Sequence, residues 1–316
     1  MLSIMTGRTW PRNFSDRVTR PLPGPRDFVK LALDGGFRGR EHPSRELAQV
    51  PQVSHPLPAL TAAQTSITWV GHATYVIRTG GLTVLADPLW SASIPGRIRR
   101  LTPPGIAWEA LPKVDVVVIS HDHYDHLDAP TMKRLPRDTP ILAPAALASW
   151  FTRRGFTTVT ELDWWEHVTV DGVRFEFVPA HHWSRRWLFD LNCTLWGGWI
   201  IQAAGGPLLY FAGDSAYGER FAEIGRRHPG IDLAMMPIGA YAPRWFMGSA
   251  HVDPAEAVQA TLDAGARQMA WMHWGAFVLS REPMAEPARL TVQAWRDTGR
   301  PLEDLWQLAI GESRVI

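Results

Sequence analysis

The sequence predicts a mixed α/β domain with sheets in the middle and helices outside. Three observations carry that expectation. Residues 114–120, "VDVVVIS", are a continuous, β-branched apolar run of the kind found in a strand buried on both faces. Two stretches read as hairpins: "HVTVDGVRFEFVPA" turns at Asp171-Gly172, and "GGWIIQAAGGPLLYFAGD" turns at Gly205-Gly206. Helical patterns are interleaved with these strands, which is the order of a layered α/β architecture.

Taken from the N-terminus, residues 1–60 are rich in proline and arginine and read as an extended arm packed over the domain, with one short helix near Phe28–Leu33. The domain proper then occupies residues 61–316. "SITWVGHATYVIRTGGLTVLADPLW" reads as strand, strand, a tight turn and another strand. "APTMKRL" and "PAALASWFTRRG" read as helices, "IDLAMMPIGAY" and "QMAWMHWG" as strands. "DPAEAVQATLDAG" is a helix with Asp253 at its N-cap, proline at its first position and Gly265 just past its end.

Composition narrows the function classes. At 316 residues with 46% apolar side chains, the chain can bury a large core. A formal net charge of +1 provides no field for nucleic acid, so no nucleic-acid partner is expected. The single cysteine, Cys193, excludes an intrachain disulfide framework and a thiolate-rich zinc cage. The first residues lack the apolar run of a signal peptide, and no run approaches a membrane span. The expected location is therefore cytoplasmic, with peripheral membrane contact if the substrate is a lipid. The 16 tryptophans suit core and loop packing; a broad apolar surface for a lipid-like ligand is the sharper alternative.

The chemistry concentrates at strand ends. "DVVVIS" runs into His121, "FEFVPA" into His181-His182, "LLYFAG" into Asp214 and "MAWM" into His273. Ligands favour that end of α/β sheets, where loops converge on rigid strands. Within "HDHYDH", His121 and His123 are two apart and point to one side of an extended chain, while Asp125 and His126 follow as the chain turns. That spacing makes two adjacent donor pairs. Imidazole with carboxylate suits zinc, and less selectively iron or manganese. Burying so many ionisable groups without a cation would be costly. Asp122 and Asp128 read as local, one beside the ligand loop and one capping the next helix. His42, His55, His167 and His228 read as ordinary polar or surface residues.

"HDHYDH" after a strand resembles the H-x-H-x-D-H motif of the metallo-β-lactamase-fold hydrolases. "FAGDSAYG", "MMPIGAYAPRWFMGSAHVDPAEAV" and "MHWGAF" resemble the N-acyl-phosphatidylethanolamine-hydrolysing phospholipase D branch of that superfamily. The likeness runs from about Thr65 to about Pro287, roughly two-thirds of the chain. It implies an αββα sandwich with two zinc ions at the sheet edge. The first would be held by His121, His123 and His182, the second by Asp125, His126 and His273, with Asp214 bridging. Spacing alone leaves His181 and His182 open; the family's ligand directly precedes a tryptophan, which selects His182 and leaves His181 as a neighbour of the ligands.

The activity implied is hydrolysis of a phosphodiester by metal-activated hydroxide, of the phospholipase D type, with Asp125 and Asp214 in the catalytic machinery. His251, in "AHVDP", takes a substrate-phosphate or proton-transfer role. Asp87 either orients a ligating histidine or is a turn residue before Pro88. His72 and Tyr124 are candidates near the pocket; Arg244, with Trp245 and Phe246, is a candidate for its mouth or for a structural role. The segment "HWSRRWLFDLN" reads as an interfacial edge or a buried loop. The related lipid enzymes form dimers, so a homodimer is carried as an expectation. Two other readings stay in view: the same site cleaving a lactone, cyclic phosphodiester or other small ester, and a di-iron redox or silent metal-binding protein on the same fold.

Overall fold

The computed structural model describes residues 8–36, 47–61 and 63–316. Two seven-stranded sheets form its centre. The first contains β1 (Ser66–Gly71), β2 (Thr74–Thr79), β3 (Leu82–Ala86), β6 (Val116–Val118), β7 (Ile141–Pro144), β8 (Val159–Leu162) and β16 (Ser313–Val315), in the order β16-β1-β2-β3-β6-β7-β8. A small ribbon of β4 (Ser93–Ile94) and β5 (Ile98–Arg99) lies in the loop after β3. The second sheet contains β9 (His167–Val170), β10 (Val173–Val178), β11 (Gly198–Ala203), β12 (Leu208–Phe211), β13 (Leu233–Pro237), β14 (Gln268–Met272) and β15 (Leu305–Trp306), paired in reverse sequence order. Each sheet starts antiparallel and becomes parallel, from β3 onward in the first and from β12 onward in the second.

The alternation of side chains explains the layers. On β2, β3 and β6, Tyr75, Ile77, Val84, Ala86, Val116 and Val118 point into the main core shared with the second sheet. Val76, Leu85 and Val117 point the other way, into a second core under α2 (Ala129–Lys133) and α3 (Ala148–Thr152). A run such as "VVV" is apolar at every position because both faces of its strand are covered. The second sheet is covered by α4 (Arg220–Arg227), α6 (Pro254–Asp263) and α7 (Glu286–Asp297), through Phe221, Ile224, Ala257, Val258, Ala260 and Trp295. The result is the αββα sandwich of the metallo-β-lactamase fold.

Local chemistry matches the elements. Asp171 and Gly172 both have positive φ, as a two-residue primed turn requires, and join β9 to β10 in register. Asp253 accepts from the backbone N–H of Glu256 at 2.9 Å, and the Glu256 carboxylate accepts from Asp253 N–H at 3.0 Å, a capping box at the start of α6. Asp128 caps α2 through Thr131 N at 3.2 Å. The helix expected in "PAALASWFTRRG" is shorter than the pattern suggested, because Ile141–Pro144 is spent on β7 and residues 153–155 form a turn. The arm helix α1 (Pro25–Leu33) begins before Phe28, where Pro25 and the Gly24–Asp27 bond start it. Helix α5 (Arg244–Met247) is a single turn. Of the histidines read as ordinary, His55 and His167 are exposed and His228 lies 3.1 Å from Glu176; His42 falls outside the described residues.

Candidate metal centre

The ends of the strands bring the motif residues together. The first sheet delivers His72 after β1, Asp87 after β3, and His121 to His126 after β6. The second delivers His182 after β10, Asp214 after β12 and His273 after β14, and His251 comes from the loop before α6. His72, Asp87 and His273 all take positive φ, a backbone conformation uncommon away from glycine and frequent where side chains are aimed at a functional site. Gly213 (φ 62°) lets the chain reverse before Asp214. A Cβ there would lie 2.7 Å from Gly197 O and from Ser120 Cβ.

One set of donors is His121, His123 and His182, whose ring nitrogens lie within 4.8 Å of one another. His123 Nδ1 is 2.9 Å from His121 Nε2 and 3.3 Å from His182 Nε2. The far nitrogens of His121 and His182 are held from behind: His121 Nδ1 lies 2.8 Å from Ser120 Oγ and His182 Nδ1 lies 2.9 Å from Ala250 O. A second set is His72, Asp125, His126 and His273. Here Asp125 Oδ2 lies 3.0, 3.6 and 3.5 Å from the Nε2 atoms of His72, His126 and His273. Asp214 stands between the sets. Its Oδ2 is 3.1 and 3.2 Å from His126 and His273, and 3.9 Å from both His121 and His182. His182, Asp214 and His251 form a further close group.

Asp87 supports both sets. Its Oδ2 lies 2.7 Å from His126 Nδ1 and accepts from Ser120 Oγ at 2.5 Å, while its Oδ1 accepts from Ser120 N at 2.7 Å. Asp87 is thus an orienting carboxylate rather than only a turn residue. Ser120 is the residue that motif reading passes over; its position directly before His121 was the available signal.

Electrostatics divides the imidazoles. Burial, reinforced by neighbouring imidazoles, pushes His121 and His123 well below the ordinary histidine range. Burial lowers His182 to about 4 and His251 to about 3. His72 falls to about 3, through burial and the nearby His273. These rings are neutral at pH 7 and carry free lone pairs. For His126 and His273 burial acts in the same direction, but Asp214 and Asp125 outweigh it. His126 is raised well above its ordinary value and His273 to about 9. Burial alone would raise Asp125 and Asp214; the surrounding imidazoles, His126 foremost, hold both well below the carboxylate range.

The residues fit a bound cation. Asp214 Oδ1 and His251 Nδ1 are buried with no hydrogen-bond partner. Unpaired polar atoms in such a place are costly unless a further positive centre engages the cluster. An imidazole–carboxylate set without thiolate suits zinc, iron or manganese.

The remaining candidates sort by geometry. Tyr124 lines the cavity beside the cluster and donates to Arg186 O at 2.6 Å. His251 lines it too, 3.8 Å from Asp214 Oδ2. Arg244 is committed elsewhere: it donates to Glu256 at 2.6 Å and to His251 O at 2.8 Å, so it holds the His251 backbone to the α6 cap rather than facing substrate. His181 turns its ring to the arm, with Nδ1 2.5 Å from Thr19 Oγ1 and Nε2 3.6 Å from Glu219. The cavity, about 270 Å³, is walled by Ile94, Pro95, Trp183, Ala240, Met247 and Leu279 on its apolar side. Most large aromatics are core, Trp69, Trp196, Trp199 and Trp295 being fully buried. The stretch after Arg185 is not a buried loop: Trp187, Leu188 and Phe189 are 68%, 65% and 89% exposed, and Phe28 and Trp245 of other segments are exposed as well.

A fold of two facing sheets, a histidine–aspartate cluster at their common edge and an H-x-H-x-D-H motif define a metal-dependent hydrolase of the metallo-β-lactamase family. Residues 83–274 match the family described as beta-lactamase superfamily domain, and the chain belongs to it. It is 39% identical over 271 residues to an uncharacterised protein of Mycobacterium tuberculosis, covering 81% of this chain and 70% of that one. It is 36% identical over 255 residues to N-acyl-phosphatidylethanolamine-hydrolysing phospholipase D 1 of Caenorhabditis elegans, covering 75% and 71%. Its fold is also that of a metallo hydrolase from Ignicoccus hospitalis, with a TM-score of 0.62, 22% identity, and coverage of 80% and 98%.

Proposed function

We propose that this chain is a dinuclear zinc phosphodiesterase that hydrolyses N-acyl-phosphatidylethanolamine or a closely similar phospholipid in the manner of a phospholipase D. The observation that carries the reading is Asp214 Oδ2, which lies within 3.9 Å of ring nitrogens from both donor sets. A carboxylate shared in this way is what a pair of neighbouring cations needs. His121, His123 and His182 would hold one; Asp125, His126 and His273 the other. Zinc held there would lower the pKa of a bound water from 15.7 to about 7 and offset charge on the phosphoryl oxygens.

The chain's own residues do the rest. Asp87 fixes the ring of His126 directly and that of His121 through Ser120, so both sets keep their geometry. His251, neutral and with its Nδ1 unpaired in the cavity wall, supports a role in holding the phosphate or in taking a proton from the attacking water and handing it to the leaving oxygen. Water oxygen adds to phosphorus, the bond from phosphorus to the ethanolamine oxygen breaks, and that oxygen leaves protonated. The products are phosphatidate and an N-acylethanolamine.

The surface supports a bilayer-held substrate. The cavity of about 270 Å³ beside the cluster opens to the surface and would receive the phosphodiester. Trp187, Leu188 and Phe189 follow Arg185 of its wall and would sit at the acyl boundary, beside the basic Arg185 and Arg186. Among the described residues no helix is long and apolar enough to cross a membrane, so contact would be peripheral. The test is an assay of zinc-loaded protein on N-acyl-phosphatidylethanolamine vesicles, a soluble phosphodiester and a lactone. Release of N-acylethanolamine with phosphatidate is expected. Turnover of the lactone with both diesters untouched would contradict the assignment.

A further inference from the structure

The inner part of the N-terminal arm touches three loops at once. Thr19 Oγ1 is hydrogen-bonded to His181 Nδ1 at 2.5 Å. The Arg20 guanidinium donates to Tyr217 O at 2.5 Å and to Gly248 O at 3.2 Å. These contacts fall one residue from His182, three from Asp214 and three from His251. All three of those side chains belong to one close group in the cluster.

The loops are already tied to one another. Ser215 Oγ accepts from His181 N at 3.0 Å, Ala216 N donates to His181 O at 2.8 Å, and Val252 N donates to Ser215 O at 2.8 Å. The His181 ring closes the bundle from outside, packed so tightly on Gly218 that a Cβ there would lie 2.4 Å from Nε2. The arm itself is anchored at further points on the domain. Phe14 is fully buried and its N–H donates to Asn192 O at 2.7 Å; Arg17 pairs with Asp163, and Arg8 pairs with Glu166 at 2.6 Å. Anchors at one end and bonds to ligand-bearing loops at the other are the parts of a clamp.

We infer that Thr19 and Arg20 are positioning residues: they clamp the 181–182, 214–217 and 248–251 loops and so set where His182, Asp214 and His251 stand relative to the first sheet's histidines. This rests on the metal reading above. Strands end at Val178 and Phe211, so His182 and Asp214 ride on chain beyond the regular ladders, tied there by the bridge between His181 and Ala216. Displacements on the order of 1 Å are enough to spoil a reactive geometry. The forked guanidinium can join two carbonyls of different loops, which a lysine ammonium on a flexible stem does less rigidly.

The test uses the full chain loaded with zinc, in the variants Thr19→Val, Thr19→Ser, Arg20→Ala and Arg8→Ala. Two readouts are taken: the rate of zinc loss to a chelator, and the thermal midpoint of the metal-free protein. The clamp predicts that Thr19→Val and Arg20→Ala lose zinc about ten- to a hundredfold faster, the range seen for partners that orient ligands. Thr19→Ser keeps the hydroxyl and Arg8→Ala breaks only an outer pair, so both follow wild type. The metal-free midpoint stays with wild type in all four. Wild-type zinc retention in Thr19→Val and Arg20→Ala would overturn the clamp, as would zinc loss matched by an equal fall in metal-free stability. A wild-type chain that takes up no zinc would overturn the metal reading itself, and the clamp with it.

Discussion

The two sheet edges that meet at the cluster are built differently. The first sheet supplies His121, His123, Asp125 and His126 from six consecutive residues, at the end of a strand whose neighbours are buried on both faces. Their support is equally local: Ser120 precedes them, and Asp87 closes the next strand over, 2.7 Å from His126. The second sheet supplies His182, Asp214 and His273 from three strands, with His251 from a fourth loop. Their support is remote: Ala250 O behind His182, Ser215 between loops, and Thr19 and Arg20 from the arm. A compact motif makes one edge of the centre rigid by itself; the other edge has to be assembled by tertiary contacts.

The largest break in that comparison is Asp214→Ala. It removes the carboxylate whose Oδ2 lies within 3.9 Å of ring nitrogens in both donor sets, so metal content should fall at both and diester hydrolysis should drop to the metal-free background, measured by metal analysis alongside the assay. Asp87→Asn acts on the first sheet's edge. It weakens the brace on His126 and, through Ser120, on His121, and should lower metal affinity about ten- to a hundredfold in a chelator titration. Gly213→Ala strikes the second edge through its backbone. The new Cβ meets Gly197 O and Ser120 Cβ at 2.7 Å in a left-handed conformation, and a loss of about 1–3 kcal/mol in denaturant unfolding is expected. Asp128→Ala removes the cap of α2 and the bond its carboxylate accepts from Ser91 Oγ, both beyond the motif. It should cost about 1 kcal/mol of stability and leave metal content unchanged. Should Asp128→Ala release metal, the first edge would depend on its following helix more than its short-range bracing implies.

The same difference explains what the sequence disclosed. The layered fold could be read because strand runs, Asp171-Gly172 and the Asp253 cap are signals carried within a few residues. The first edge of the centre was legible for the same reason, four donors standing together after "VVVIS". The choice between His181 and His182 could not be made from spacing, because adjacent residues differ only in which side of the chain they face. The structure turns His182 to the cluster and His181 to Thr19, more than 160 positions away in the chain. Arg244 stayed open between the mouth of the site and a structural role for a similar reason: the carboxylates of Asp253 and Glu256 surround it, and its neighbours in "PRWFM" gave no hint of them. Ser120 was hidden by being a common residue whose worth comes from the two side chains it joins.

The account stands on the two edges closing around a pair of cations. Metal per chain is therefore the decisive quantity, determined by elemental analysis on protein stripped by chelator and reloaded with zinc. Two zinc ions per wild-type chain are expected, with near-complete loss of both in Asp214→Ala. A reloaded wild-type chain that holds none, or one that Asp214→Ala leaves undisturbed, would contradict it.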